Sequence, residues 1–272
     1  MVVIGIGKAG CNICDSVSKI SKIQTVKLDA GQGLPQCSSH EEYDSSVPKL
    51  ARRLKLKDAK KVWVVVCGAG KVSGVTLSVL EQIKGREVNV AYIHPDPFLC
   101  TPLQQKQNKV VFNVLQEFAR SGLIDSLYLF SNKHLEGVVG EDTVINFFDK
   151  INDAIANAIV SIEHFGASEP IIGGHHDADE ISRIRTVSLK QLSETQENFY
   201  FPLDNITESC YLYSVASDEI KNNKNLLTTI REQVILDKER GVKSSFGVFE
   251  NSSDYSYFYS LKYTHFIQKE IK

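Results

Sequence analysis

The 272-residue chain has no run approaching the roughly 20 apolar residues that cross a bilayer. Its start has no basic region, apolar stretch and small-residue cleavage site of the kind a secretory leader carries. No charge dominates either. Lys and Arg number 31 against 33 Asp and Glu, a net charge of -2, which leaves no electrostatic footprint for nucleic acid or an anionic membrane. The six cysteines lack pairing logic. Cys11 and Cys14 form a CxxC without a thioredoxin-like context, and Cys37, Cys67, Cys100 and Cys210 are scattered, so all read as reduced thiols of a cytoplasmic protein. His164, His175 and His176 beside Asp177 have no metal-ligand spacing, and no metal site is expected from them. Internal repeats, low-complexity segments and disordered tails are not expected either. What remains, 42% hydrophobic and 24% charged residues, is an ordinary soluble profile with material for one or two domains.

The first part alternates strands and helices. Strands are expected at residues 2–4, 25–28, 61–67, 87–93 and 126–131, and helices at 11–20, 73–84, 102–121 and 141–163. The run KVWVVVC at 61–67 is continuously apolar, as a central parallel strand requires. This rhythm predicts a parallel sheet covered on both faces, with ligands at the carboxyl ends of its strands. Past residue 165 the pattern changes. A loop rich in Gly, Pro and His at 164–176 is followed by a short acidic helix from Asp177, a strand at 184–189 and a strand at 209–215. One helix is expected over 218–239. Two closing strands, near 242–250 and 255–266, flank Asn251-Ser252-Ser253-Asp254, which reads as a hairpin turn.

Gly5-Ile6-Gly7-Lys8-Ala9-Gly10 follows the first strand and opens a helix. Glycines let the backbone approach phosphate oxygens, and a helix start offers free N–H groups. A lone GxGxxG also fits a tight strand–helix turn without a ligand. Asp29, 19 positions past Gly10, stands where a dinucleotide-binding fold places its ribose carboxylate, so an NAD(P)-dependent oxidoreductase is one reading. Gly68-Ala69-Gly70-Lys71-Val72-Ser73-Gly74 weakens it, because a dinucleotide fold needs one such loop, whereas two at neighbouring strand ends grip a di- or triphosphate from both sides. The second loop is not a Walker A either, which would need Gly at Val65 and Ser or Thr at Val72.

Taken in order, these segments resemble the tubulin/FtsZ superfamily. Gly5 to Gly10 with Cys11 and Asn12 is similar to the opening phosphate loop of FtsZ, and the stretch from Val26 through Asp29 and Ala30 to Leu34 is similar to its strand ending in Asp-Ala. Gly68 to Gly74 resembles a degraded tubulin signature GGGTGTG, with Ser73 at its first threonine. Phe130-Ser131-Asn132-Lys133 resembles the Asn-containing loop, and Phe148 and Asn152, four apart on one helix face, stand where the family stacks and hydrogen-bonds guanine. Individually, Asn132 also fits a turn, Phe148 a core position and Asn152 a solvated helix face. Lys8 and Lys71 depart from the family, which often has glycine there; each could reach a phosphate as a point charge or crowd the loop.

The resemblance implies an α/β fold: a parallel-sheet nucleotide-binding GTPase domain ending in a long central helix (1–165) and a smaller α+β activation domain (166–272). It implies GTP/GDP as ligand, with Mg²⁺, phosphates on the N–H groups of residues 7–12 and 70–74, and Ser73 offering a hydroxyl to phosphate or metal. It implies hydrolysis in trans, with Asp177 and Glu180 as the carboxylates, Asp179 if the register slips, and His175 in place of the usual asparagine. An N-capping acidic cluster is the plainer reading of the same residues. The implied partner is the chain itself, head to tail in a filament, with no membrane and with nucleic acid only through an adaptor. The short chain resembles phage or plasmid tubulins, which would place it in a host cytoplasm. A non-catalytic cap or scaffold of the same fold stays open.

Overall fold

The computed structural model describes residues 1–47, 59–140, 143–174, 178–192, 194 and 197–271. Its first half winds β1 (Val2–Ile6), α1 (Gly7–Ile20), β2 (Gln24–Ala30), β3 (Gly33–Leu34), α2 (His40–Ser45), β4 (Lys61–Cys67), a 3-10 turn (Lys71–Val75), α3 (Thr76–Gln82), β5 (Glu87–His94), α4 (Pro102–Arg120), β6 (Ser126–Ser131), α5 (Asn132–Val139) and α6 (Val144–Gly166). The second half adds β7 (Ile172–Gly174), β8 (Ile184–Gln191), β9 (Glu208–Ala216), α7 (Ser217–Asn222), α8 (Leu226–Glu239), β10 (Lys243–Asn251) and β11 (Tyr257–Thr264).

One sheet runs through both halves in the order β3-β2-β1-β4-β5-β6-β8-β11-β9-β10-β7. The strands β1 to β6 are parallel, so their two ends differ chemically. In register, Ile6 pairs with Leu28 and Val66, Cys67 with Ile93, and His94 with Ser131, which aligns the carboxyl ends along one edge. At the other edge Lys61 pairs with Glu87 and Leu127 with Ile184.

The period of two along each strand sorts the core. Val62, Val64 and Val66 of β4 face Val79 and Leu80 of α3, Ile83 just past its end, and Val111, Phe112 and Leu115 of α4. Trp63 and Val65 face the opposite layer, where Ile13, Cys14 and Val17 of α1 meet Ile151, Ile155 and Ile159 of α6. Each such side chain taken from water stabilises by about 1.5–3 kcal/mol, which explains why a strand buried on both faces is apolar throughout. Pro102 at the first helical position, with Thr101 and Gln104 in a reciprocal capping box, fixes the start of α4. Among the described residues no helix is long and apolar enough to cross a membrane.

Two expectations about the second half are corrected here, and a third, at the acidic segment, concerns the site. The closing strands do not form a hairpin. β9 lies between them, parallel to β10 and antiparallel to β11. All nine residues of β9 are buried, and a direct β10–β11 pairing would have left its apolar side chains on an edge. The single helix expected over 218–239 is two, α7 and α8, because the side chain of Asn223 accepts the N–H of Asn225 and competes with the helical ladder.

Candidate functional site

β1 runs into α1 without a connecting loop, and Gly7 sits at the junction with φ 70°, a left-handed value that favours glycine. A Cβ on Gly10 would stand 2.5 Å from the carbonyl oxygen of Val65, so glycine there lets α1 lie against β4. The cap position Ile6 offers no side-chain acceptor, and the first turn of α1 contains no acid. Its leading N–H groups therefore keep their hydrogen-bonding capacity for something else.

The second loop stands at the next strand end. A Cβ on Gly68 would fall 2.2 Å from the hydroxyl of Tyr92, and one on Gly74 would fall 2.1 Å from the carbonyl oxygen of His40. Gly70 is open, and a Cβ there would meet nothing within 4 Å. Ser73 is buried, and its hydroxyl donates to the carbonyl oxygens of Gly70 (2.6 Å) and Gly68 (3.1 Å). The hydroxyl thus holds the turn together. A Cβ on Gly7 would lie 3.7 Å from the Cβ of Val72, so the two glycine loops abut, with Lys8 and Lys71 exposed on either side of the seam.

Other residues singled out in the sequence surround the same edge. Asp29, one residue before the end of β2, closes a tight turn with Gln32, and its Oδ1 accepts the N–H of Ala30 (2.9 Å). Asn12 is half-buried in α1, and Asn132 is the first residue of α5, directly after β6. α6 runs from this edge to the other, where Glu163 accepts from Trp63 Nε1 (2.7 Å) and pairs with Lys61 (3.3 Å). Phe148 and Asn152 lie in its first half. Phe148 is 48% exposed and meets Phe147 edge-on, whereas Asn152 is 8% exposed and, among the described residues, hydrogen-bonds to nothing through its amide.

The CxxC serves packing. Cys11 and Cys14 are buried free thiols whose Sγ atoms point at the carbonyl oxygens of Gly5 and Val3. Burial pushes Cys11 up to about 11, with the charge of Asp29 adding to it, and pushes Cys14 up to about 12.

The acidic segment is at the opposite edge. Asp177 lies outside the described residues, as do His175 and His176. Residues 178–183 form a turn into β8, in place of the expected helix. Their backbone donors are used otherwise: the N–H of Asp179 goes to the Glu208 carboxylate (3.1 Å) and that of Ser182 back to Asp179 (2.8 Å). Asp179 also pairs with Lys243 (2.7 Å). Glu180 is exposed and lines a cleft of about 520 Å³ with Lys61, Glu87, Asp125, Glu163 and Arg183. The sheet separates this cleft from the glycine loops by the length of a seven-residue strand, roughly 20 Å.

Two features had no signal in the sequence. Beneath Gly68, the hydroxyl of Tyr92 donates to Asn108 Oδ1, and Asn108 Nδ2 donates to His94 Nε2 (3.2 Å), whose Nδ1 meets the Pro95 carbonyl (2.9 Å). Burial holds the His94 pKa below its ordinary value. After β11 the chain returns to α4, where Gln268 and Gln116 exchange two hydrogen bonds (2.6 and 3.2 Å) that tie the end of the chain to the first half.

No family model and no curated protein matches the sequence. Solved structures do. FtsZ from M. jannaschii, an empty dimer, superimposes with TM-score 0.72 at 14% identity, covering 97% of this chain and 87% of that one. TubZ from Bacillus thuringiensis serovar israelensis, in a GTPγS-form protofilament, gives 0.72 at 15% identity over 96% and 85%. CetZ from Methanosaeta thermophila strain DSM 6194 gives 0.69 at 12% identity over 97% and 86%. The chain has the tubulin/FtsZ fold.

Proposed function

We propose that this protein binds a guanine nucleotide between its two glycine loops and assembles head to tail through that site. The observation that carries the reading is the abutment of the loops, Gly7 against Val72, at the carboxyl ends of adjacent parallel strands. The N–H groups left unpaired within residues 7–12 and 70–74 hydrogen-bond the phosphates, the Ser73 N–H being held by the Gly70 carbonyl (3.0 Å). Phe148 has an exposed ring for the base, and the amides of Asn132 and Asn152 can both donate and accept along a purine edge. Neither amide atom of Asn152 is hydrogen-bonded among the described residues, so both can turn to a ligand.

The donor set suits magnesium poorly. Ser73 is buried with its proton held inside its own loop, and Asp29 has one of its two carboxylate oxygens on a backbone N–H, which leaves one carboxylate oxygen where magnesium takes one or two carboxylates beside the phosphates.

Assembly follows from polarity. The cradle and the cleft of Glu180 occupy opposite ends of one sheet, so Glu180 can act only on the nucleotide of a neighbouring copy. A heterologous contact of this kind propagates into a filament when its rotation does not close. Glu180, together with Asp177, would orient the attacking water in trans. Asp179 is engaged by Lys243 and is the weaker candidate.

Nucleotide release from purified protein, followed by titration with GTP and NAD, tests the ligand; retention of NAD alone would refute the reading. Pelleting and electron microscopy with GTP test assembly, and monomers under every condition would refute it. A second reading, a filament cap or scaffold without turnover, is favoured by the turn that replaces the expected acidic helix. Turnover in trans rises more steeply than linearly with protein concentration, whereas a cap shows none.

A further inference from the structure

Lys8 and Lys71 flank the seam between the two glycine loops. Lys8 follows Gly7, Lys71 precedes Val72, and Gly7 and Val72 are the pair that meets. Both lysines are exposed, and among the described residues neither has an ion pair or a side-chain hydrogen bond. α1 and the 3-10 turn that starts at Lys71 have no acidic residue in their first turns. A cation at a helix start opposes the helix dipole, and two neighbouring cations repel each other. A polyanion in the seam would meet both ammonium groups and the start of α1.

We propose that Lys8 and Lys71 neutralise the nucleotide's phosphates themselves, so that the cradle holds a nucleoside triphosphate without a divalent cation. This rests on the nucleotide reading of the same cradle. An ammonium is a compact charge with three donors on a flexible stem, able to sit between non-bridging oxygens without fixed coordination geometry. The Ser73 hydroxyl is buried with its proton turned to the Gly68 and Gly70 carbonyls, and one Asp29 oxygen is on the Ala30 N–H, whereas the two ammonium groups are exposed and, among the described residues, unpaired. A triphosphate has more charge to neutralise than a diphosphate, so the lysines also bias the cradle toward the triphosphate.

The test is titration of nucleotide-free protein with a fluorescent GTP and a fluorescent GDP, in EDTA and in magnesium. Wild type is compared with the double variants Lys8→Gln/Lys71→Gln and Lys8→Arg/Lys71→Arg, after thermal melts show that each is folded. The expected wild-type affinity for GTP differs by less than about tenfold between the two buffers, while the glutamine pair loses more than about tenfold in EDTA, tenfold being about 1.4 kcal/mol. The loss should be larger for GTP than for GDP, and the arginine pair should recover most of it. A wild-type loss above about tenfold on chelation overturns the proposal whatever the variants do, as does a glutamine pair that binds like wild type in EDTA. Absence of GTP binding in both buffers overturns the nucleotide reading and this proposal with it, whereas binding only with magnesium overturns this proposal alone.

Discussion

The hydroxyl of Ser73 has one proton, and the second glycine loop uses it on its own carbonyl groups. Sequence alone places a Ser beside a phosphate; the fold turns it inward. The glycines are the opposite case, because their spacing already states how closely the backbones must approach. Gly10→Ala should destabilise the protein by about 3 kcal/mol or more, since the new Cβ meets a backbone oxygen at 2.5 Å that cannot move aside. Urea unfolding checks this; a loss below about 1 kcal/mol would mean that α1 is not pinned to β4 as described. His94 makes a pH prediction. Burial lowers its folded pKa below the ordinary 6.5, so under acid the unfolded chain takes up a proton that the folded chain resists. Stability is therefore fully present above about pH 6.5 and declines as pH falls toward the folded pKa, with half-buried His134 adding in the same direction. Unfolding midpoints at pH 7.5 and pH 5.5 should differ less for His94→Gln than for wild type.

At the scale of elements, α8 is held to the sheet by a buried charge pair. Lys262 of β11 lies 3.4 Å from Asp237 of α8, with the hydroxyl of Tyr211 donating to the same carboxylate oxygen at 2.6 Å. Burial lowers the Lys262 pKa, and Asp237 opposes that shift. Asp237→Ala would leave an ammonium in an interior without its counter-charge and should cost about 3–5 kcal/mol. Asp237→Ala combined with Lys262→Met should recover part of that loss, because the stranded charge goes with its partner. Denaturant titrations of the single and double variants measure the difference. Neither residue stands out in the sequence, since a Lys in a strand and an Asp in a helix read as solvated positions until β9 is seen between β10 and β11.

For the whole molecule the decisive property is polarity. Parallel strands gather every βα loop at one edge and the segment before β8 at the other, so cradle and Glu180 cannot meet within one chain. The proposed catalysis in trans gives a mixing prediction. Glu180→Gln retains the cradle, and a glycine-loop variant that no longer binds nucleotide retains Glu180. Each should hydrolyse GTP poorly alone, and a mixture should regain activity, because a cradle of one copy meets the carboxylate of the other. Phosphate release from the mixture, compared with the sum of the two alone, decides it; simple additivity would exclude a shared site.

The amino-acid order by itself determined the parallel sheet and the two glycine loops. Apolar runs, helical spacing and glycine placement are local signals, and local sterics and burial read them out directly. The order of the motifs also carried the likeness to tubulin and FtsZ, which the superposition bears out at the level of fold. Tertiary structure alone decided the insertion of β9, the turn where an acidic helix was expected, the inward hydroxyl of Ser73, and the return of the chain end to Gln116. Apart from Ser73, whose carbonyl partners are three and five residues away, each depends on which distant groups complete a hydrogen bond or bury a face, and partners 26 to 152 residues apart leave no periodic trace in the chain.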